Sequence, residues 1–358
     1  IENNTGKNLF ASVQAEDELA AIGMAIGANW NGARGFTATS GPGISLMSEF
    51  LGLAYFAEIP LVLFNVQRGG PSTGMPTRTQ QSDVLACAYA SHGDTKHVVL
   101  FPSDPKECFD FSAQAFDLAD QLQTPIFVVS DLDMGMNDWV CDKFKWDDEY
   151  KYNRGKVLNK DDLDEIENFG RYLDVDNDGI CYRTYPGTHP EKGAFFTRGT
   201  SHDEYARYTE DGEVNAATLS RLMKKFRTAS ELVPEPVIEI NGEDSCGVIF
   251  YGSTSPAVHE AKDILKEKEI NIDLMQIRSF PFNLDVWEFI ANHDRIYVVE
   301  QNRDSQMRTL IMAEGGISPE ILRPLVHFTG DPIQASYIVN KISEREVNYK
   351  SHINAKKR

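Results

Sequence analysis

The hydrophobic positions of this sequence alternate between short apolar runs and longer amphipathic stretches, which is typical of strands separated by helices. Because the two kinds of segment take turns along the chain, the pattern predicts an α/β fold with a mostly parallel, doubly wound sheet, followed by a second α/β unit from Cys246 onwards. Strands are predicted over residues 9–13, 36–39, 60–66, 125–130, 247–253, 271–276, 296–302 and 325–328. Helices are predicted from residue 16 and over 50–57, 105–122, 255–268, 281–292 and 305–313.

The pattern divides the chain into four parts. Residues 1–139 form the first α/β domain, 140–235 a charged, aromatic and turn-rich connecting region, 236–345 the second α/β domain, and 346–358 a basic tail. We expect the tail from Asn348 to be an extended arm that packs on a neighbouring chain. The sequence starts without Met and reaches its first strand at once, so we expect that a strand and its loop are missing upstream of Ile1.

The stretch from Glu16 to Met47 is the most unusual part of the first domain. A helix opens there with the carboxylates Glu16, Asp17 and Glu18 and continues in small or apolar residues, including two glycines four positions apart. A short buried strand follows and ends in the turn Ser40-Gly41-Pro42-Gly43. A carboxylate near a glycine-rich strand end suggests a cofactor pocket. The alternative is that these charges only complement the helix dipole, and the residues alone do not decide between the two.

A long loop over residues 67–83 follows a buried strand and is rich in Gly, Pro and hydroxyl residues. Ligands of open α/β sheets bind beyond the carboxyl ends of strands, and loops of this length are uncommon unless they are functional. Arg68 and Arg78 are candidates for binding a carboxylate through two hydrogen bonds. Ser72, Thr73 and Thr77 could add hydroxyl donors. The alternative is a surface loop with ordinary salt bridges.

Two motifs of the connecting region receive structural interpretations. The run from Asp174 to Gly179 imitates the start of a calcium-binding EF-hand loop, but its twelfth position is Tyr185 instead of a bidentate Glu. We therefore interpret it as a carboxylate-rich turn. His202 lies among acids, where a hydrogen-bonded loop histidine is more common than a catalyst, although it could line a pocket.

Composition narrows the range of partners. The net charge of −19 argues against nucleic acid and anionic membranes, and no apolar run is long enough to span a bilayer. The five cysteines contain no C-x-x-C pair, which predicts reduced thiols in a cytoplasmic protein and no metal site within this chain.

Together, the segment from Gln14 to Met47, the 67–83 loop and the unit over residues 246–301 resemble the α subunit of 2-oxoacid:ferredoxin oxidoreductases, in particular the 2-oxoglutarate type. The resemblance covers nearly the whole chain, whereas Thr-Ser-Gly-Pro-Gly alone is widespread among thiamin-diphosphate enzymes. It implies a pyrimidine-type thiamin-diphosphate domain and a transketolase C-terminal-like α/β domain.

The resemblance also implies roles for individual residues. Glu18 would share a proton with N1′ of the thiamin aminopyrimidine and so act as the catalytic carboxylate, with Ser40 and Gly41 near the cofactor. Arg68 would contact the 1-carboxylate of the substrate, and Thr77 its distal part. The polarity of the loop favours a dicarboxylic 2-oxoacid over pyruvate.

The family's Tyr-Pro-Ile-Thr-Pro-type loop has no counterpart in this sequence and is expected in the upstream segment, as is any fused γ domain. The resemblance implies a β subunit that carries Mg²⁺ and a [4Fe-4S] cluster, coenzyme A as co-substrate, ferredoxin as electron partner and an α2β2 assembly. Two alternatives stay open: the β-type thiamin component of a 2-oxoacid dehydrogenase, which passes its acyl group to lipoamide, and a non-catalytic binding or scaffold subunit.

Overall fold

The computed structural model describes residues 10–192, 198–242 and 246–356, with side chains of the last helix described to residue 349. In chain order the helices are α1 (Glu18–Trp30), α2 (Gly41–Phe56), α3 (Val84–Ala88), α4 (Pro105–Leu122), α5 (Leu132–Met136), α6 (Lys160–Glu165), α7 (Gly212–Ala229), α8 (Ser255–Glu267), α9 (Leu284–Ala291), α10 (Gln306–Gly315) and α11 (Ala335–Lys356). The strands are β1 (Phe36–Thr39), β2 (Leu61–Gln67), β3 (Val98–Leu100), β4 (Pro125–Asp131), β5 (Val237–Glu239), β6 (Cys246–Tyr251), β7 (Ile272–Ile277), β8 (Ser279–Phe280), β9 (Ile296–Glu300) and β10 (Leu322–Val326).

Two five-stranded sheets organise the chain. The first has the order β1-β2-β4-β3-β8 and is parallel except for β8, which pairs antiparallel with β3. The second has the order β10-β9-β6-β7-β5 and is parallel except for β5. Central strands β2, β4, β6 and β9 are almost wholly apolar and buried, as expected for parallel strands covered on both faces by helices. The expected α/β class is therefore confirmed, while the boundaries at residues 139, 235 and 345 stay predictions.

Three predicted elements differ most from the structure, and smaller differences affect the ends of others, such as β10, which covers Leu322–Val326 instead of residues 325–328. The strand over residues 9–13 is wrong for its described part, because residues 10–13 have no regular structure and Leu9 lies outside the described residues. The tail is not an extended arm, since α11 continues through Lys356. The helix predicted from residue 50 begins at Gly41, so the Gly41-Pro42-Gly43 turn is the first turn of α2. Pro is tolerated there because first-turn amides have no intrahelical acceptor.

A cluster of three arginines around Asp120 fixes the connecting region to the first sheet. Asp120 lies on α4, where its side chain is nearly inaccessible, and it pairs with Arg34 at 2.9 Å, Arg183 at 2.7 Å and Arg154 at 3.3 Å. Arg154 and Arg183 belong to the connecting region. This region therefore packs on the first domain partly through charge, although Ile180, Phe226 and Val233 also join the hydrophobic core.

A second buried cluster joins α7 to the end of α2. Glu58 follows α2 in a left-handed conformation (φ 56°), and its side chain is completely buried. Its carboxylate accepts from Lys225 Nζ at 2.7 Å and from the Arg221 guanidinium. Burial acts to raise the pKa of Glu58, but the two cations outweigh it and hold that pKa well below its usual range.

Within the described ranges, no helix is both long and apolar enough to cross a bilayer. The same part of the chain contains no group of three or more His, Cys, Asp or Glu side chains placed to hold a metal ion. The five cysteines are free thiols, and all but Cys108 and Cys141 are buried.

Candidate active site

The carboxyl ends of the parallel strands in the first sheet meet at one edge. Thr39, the last residue of β1, pairs with Asn65 of β2, and Gln67 at the end of β2 pairs with Asp131 at the end of β4. Ser40 and Arg68 directly follow these strand ends. The register thus brings the glycine turn and the long loop, which are far apart in sequence, to the edge where open α/β sheets bind ligands.

A cleft of about 850 Å³ opens at this edge, between the first sheet and loops of the second. Side chains and backbone of both units line it, which makes it a site between domains, a common location for ligand pockets. Charged, hydroxyl and glycine residues contribute to its lining, among them Gly41, Arg68, Ser72, Asp83, Arg303 and Asp304.

Glu18 is the first residue of α1 and is half-buried. Asp17 is the N-cap of the helix and accepts from the Ala20 amide at 2.8 Å, while Glu16 is exposed, so both have the helix-start role that was the alternative interpretation. Glu18 instead packs on the first turn of α2: a Cβ at Gly43 would lie 3.1 Å from Glu18 Cγ. Among the described residues its carboxylate has no hydrogen-bond or ion-pair partner. Glu18 does not line the cleft, which reaches the same helical turn at Gly41 and Pro42.

The close packing at Gly43 leads to a prediction with a matched control. In Gly43→Ala the new methyl group would overlap Thr39 Oγ1 and press on Glu18, so we expect a loss of about 1–3 kcal/mol in unfolding free energy. In Gly27→Ala, on α1, nothing lies within 4 Å of the new methyl group, and the gain in helix propensity is about 1 kcal/mol. Chemical denaturation of both variants measures the difference. Equal stabilities would contradict the close contact between Gly43 and its neighbours.

Arg68 extends from the end of β2 into the cleft. Its Nε is buried and has no hydrogen-bond partner in the described part of the protein, and no carboxylate lies within ion-pair distance of its guanidinium there. A buried donor without an acceptor is costly, so this group is suited to a ligand that brings its own acceptor. Of the predicted substrate residues, Arg68 and Ser72 line the cleft, whereas Thr73 and Thr77 are exposed and do not. Arg78 lies outside the cleft and pairs with Asp331 at 3.0 Å.

Asp83, at the end of the long loop, is a cleft residue that no sequence motif indicates. Asn65 Nδ2 donates to its Oδ2 at 3.1 Å, and a Cβ at Gly41 would lie only 2.8 Å from its Oδ1. Any side chain at position 41 would therefore clash with the carboxyl group of Asp83, and only glycine leaves enough space for it. Burial raises the pKa of Asp83, although the bond from Asn65 and the positive charge of Arg68 act in the opposite direction.

Gln81 is buried next to the cleft and connects the loop over residues 67–83 to the second α/β unit. Its Oε1 accepts from the Gln301 amide at 3.1 Å and from Thr254 Oγ1 at 3.2 Å, and its Nε2 donates to the Tyr251 carbonyl at 3.2 Å. These partners belong to the second α/β unit. A fully bonded polar side chain at a domain junction fixes the relative position of the two walls.

The motifs of the connecting region have structural roles. In the Asp174–Gly179 turn, Asp174 accepts from the backbone amides of Asp178 and Gly179, and Lys156 pairs with Asp178 at 2.8 Å. This agrees with the interpretation as a carboxylate-rich turn. His202 is buried against the Tyr172 ring, and its Nδ1 donates to the Thr200 carbonyl at 2.9 Å. It does not line the cleft.

Comparison with known proteins agrees with this geometry. The family model described as "Pyruvate flavodoxin/ferredoxin oxidoreductase, thiamine diP-bdg" matches residues 3–141, which contain α1, the glycine turn and the long loop. A solved structure of 2-oxoglutarate:ferredoxin oxidoreductase from Magnetococcus marinus, with 2-oxoglutarate, coenzyme A and succinyl-CoA bound, superposes with a TM-score of 0.83 at 29% identity, over 93% of this chain and 56% of that chain. The fold and the strand-end site thus define a thiamin-diphosphate-binding protein of the ferredoxin oxidoreductase class.

Curated relatives define the family more closely. The α subunit of 2-oxoacid:ferredoxin oxidoreductase 2 from Aeropyrum pernix is 34% identical over 94% of this chain and 52% of its own length. The 2-oxoglutarate synthase subunit KorA of Methanothermobacter marburgensis is 31% identical over 92% of this chain and 85% of its own length. The chain belongs to the family of 2-oxoacid:ferredoxin oxidoreductase α subunits. It spans about half the length of the Aeropyrum relative.

Proposed function

We propose that this chain is the α subunit of an enzyme that converts a 2-oxoacid, coenzyme A and oxidised ferredoxin to an acyl-CoA, CO2 and reduced ferredoxin, or runs the reverse carboxylation. The observation that carries the proposal is the cleft, in which Arg68, whose buried Nε has no partner in the described part of the chain, lines the same space as the glycine turn. We further propose 2-oxoglutarate as the substrate. The KorA relatives are named 2-oxoglutarate synthase, and the Magnetococcus structure holds 2-oxoglutarate.

The residues present fit thiamin diphosphate as the cofactor. Glu18 offers a half-buried carboxylate without a partner in the described chain, next to a helical turn that Gly43 keeps open. When bound, the thiazolium of the cofactor supplies the electron sink for decarboxylation. Glu18 would hold a proton at the N1′ position of the aminopyrimidine. Arg68 would bind the substrate carboxylate through two parallel hydrogen bonds and so orient the keto carbon.

A second subunit is needed on this proposal. The side chains of Leu19, Met24 and Leu46, on α1 and α2, are 39%, 53% and 52% exposed, and Gly27 faces open space. Exposed apolar side chains on two neighbouring helices that are rich in small residues favour contact with a partner chain. We propose that a β subunit covers it, carries Mg²⁺ and the [4Fe-4S] cluster, and assembles with this chain as α2β2. The relatives' names do not favour the lipoamide-linked alternative or the non-catalytic one.

The test is a substrate panel on the purified complex of this chain and its β subunit, with coenzyme A and ferredoxin supplied. We expect reduction of ferredoxin with 2-oxoglutarate at a kcat/KM at least about tenfold above that with pyruvate. A complex that reduces ferredoxin with none of the 2-oxoacids would contradict the function. A preference for pyruvate would contradict only the choice of substrate.

Arg68 gives a prediction within the same assay. Arg68→Lys keeps the charge but loses the two parallel hydrogen bonds to a carboxylate, so KM for the 2-oxoacid should rise about tenfold or more while kcat changes less. Arg78→Lys is the matched control, because Arg78 belongs to the same loop and is already paired with exposed Asp331. An unchanged KM in Arg68→Lys would move the carboxylate site elsewhere.

A further inference from the structure

Two opposite charges face the same cleft without forming an ion pair. Arg68 and Asp83 both line it, yet no carboxylate oxygen of the described residues lies within 4.0 Å of an Arg68 nitrogen. Both side chains nevertheless line the same cleft, and the positive charge of Arg68 acts to lower the pKa of Asp83. Asp83 is oriented by the hydrogen bond from Asn65, and the missing side chain of Gly41 leaves the space that its carboxyl group occupies. The chain thus holds a negative charge near Arg68 without neutralising it.

The other charged groups around Asp83 neutralise neither its carboxylate nor the guanidinium of Arg68. The first turn of α2 contributes no charged side chain. The Cys87 thiol on α3 remains neutral, because burial raises its pKa well above the ordinary value. On the opposite wall, Arg303 and Asp304 pair with each other at 2.7 Å and are well exposed. Of the charged residues that line the cleft in the described part of the chain, Arg68 and Asp83 are the two without an ion pair, and Glu18 on the neighbouring turn lies outside the lining.

An anion that binds Arg68 in this cleft is repelled by the negative charge of Asp83. At short range, repulsion between two negative charges lowers the affinity for the anion about fivefold or more. Protonation of Asp83 removes this repulsion and adds an O–H donor to the cleft. We propose that Asp83 is a specificity-determining residue that opposes the binding of an anion to Arg68 and thereby couples the uptake of an anionic substrate to the uptake of a proton.

This inference deepens the proposed function and rests on it for the identity of the substrate. Because burial already raises the pKa of Asp83, the proton is gained at lower cost than by an exposed Asp. Affinity for the substrate then falls as the pH rises, since Asp83 becomes harder to protonate. The amide in Asp83→Asn is always neutral and can still accept from Asn65, so this variant should bind the anion with little dependence on pH.

The experiment uses the assembled complex and two readouts. The first is KM for 2-oxoglutarate over the pH range in which the complex is stable, which should rise with pH about fivefold or more in the wild type and less than about twofold in Asp83→Asn. The second is calorimetric titration with glutarate, a dicarboxylate that lacks the keto group, in buffers of different ionisation enthalpy. The wild type should take up a proton when glutarate binds, and Asp83→Asn should not.

Asp133→Asn is the matched control. Asp133 is also partly buried with a raised pKa and is also bonded to an asparagine amide, Asn137 Nδ2, but it does not line the cleft. It should keep the pH dependence of the wild type. Wild-type binding of glutarate without proton uptake, no binding of glutarate at all, or unchanged pH dependence in Asp83→Asn would each overturn the inference. Failure of ferredoxin reduction contradicts the proposed function instead, because the glutarate titration does not depend on turnover.

Discussion

Replacing Glu18 by Gln is expected to lower kcat of the assembled enzyme at least about a hundredfold, the usual contribution of a positioned general acid or base. The amide occupies the same space beside Gly43, so folding and assembly should survive. It cannot take up or release a proton at the pyrimidine ring, so substrate binding would be retained while the chemical step fails. Steady-state kinetics with 2-oxoglutarate, together with size-exclusion chromatography of the complex, measures both effects.

Glu16→Gln is the control for this variant. Glu16 lies two residues away, carries the same charge and is exposed. Its replacement should leave kcat within about twofold, since an exposed helix-start charge contributes only about 0.3–1 kcal/mol to the stability of the helix. Equal losses in both variants, or full turnover by Glu18→Gln, would remove Glu18 from the mechanism.

Glu58→Gln is expected to destabilise the fold more than Gly43→Ala does. It leaves Arg221 and Lys225 buried without a counter-charge, and breaking a buried ion cluster in this way typically costs about 3–5 kcal/mol. Because Glu58 joins the end of α2 to α7, its replacement weakens the packing of α7 on the first domain. We expect the midpoint of thermal unfolding to fall by roughly 5–10 °C.

The control for Glu58 is Asp110→Asn, which breaks the exposed pair between Lys106 and Asp110 on α4 and should change stability by less than about 1 kcal/mol. The pH dependence gives a second check. Since the pKa of Glu58 is held low, the cluster stabilises the native state at every pH above the ordinary glutamate pKa, and this contribution declines as the pH falls toward the lowered value. The difference between wild type and Glu58→Gln should therefore be full at neutral pH and shrink in acid. A constant difference would contradict the assignment.

Elements with a strong local signal were predicted well. The helix over residues 105–122 and the strand over 36–39 have the predicted bounds, and Pro105 starts the helix as expected. The expectation that the strand is buried is wrong, because β1 lies at the edge of its sheet and Phe36 is exposed. The long helix α7 was missed, because Arg221 and Lys225 on its buried face are charged and hide the apolar periodicity. Its partner Glu58 lies far away in sequence, and no local pattern shows that charges will be neutralised across such a distance.

In the candidate active site, too, residues that depend on contacts distant in sequence could not be predicted. Arg68 could be located because it directly follows a buried strand in a long polar loop. Asp83 could not, because its place in the cleft depends on Asn65 and on the space left by Gly41, neither of which is near it in the chain. The hydroxyl residues Thr73 and Thr77 share the composition of the loop but lie outside the cleft lining, which composition alone cannot reveal.

The short strand β8 constrains the order in which this protein can fold during synthesis. It completes the first sheet by pairing with β3, although residues 279–280 are made long after residues 98–100. Until the ribosome has released β8, the edge of β3 is an open template for pairing with other chains. The first sheet therefore receives its last strand from a segment that is synthesised with the second half of the chain, which makes this pairing a late, long-range contact.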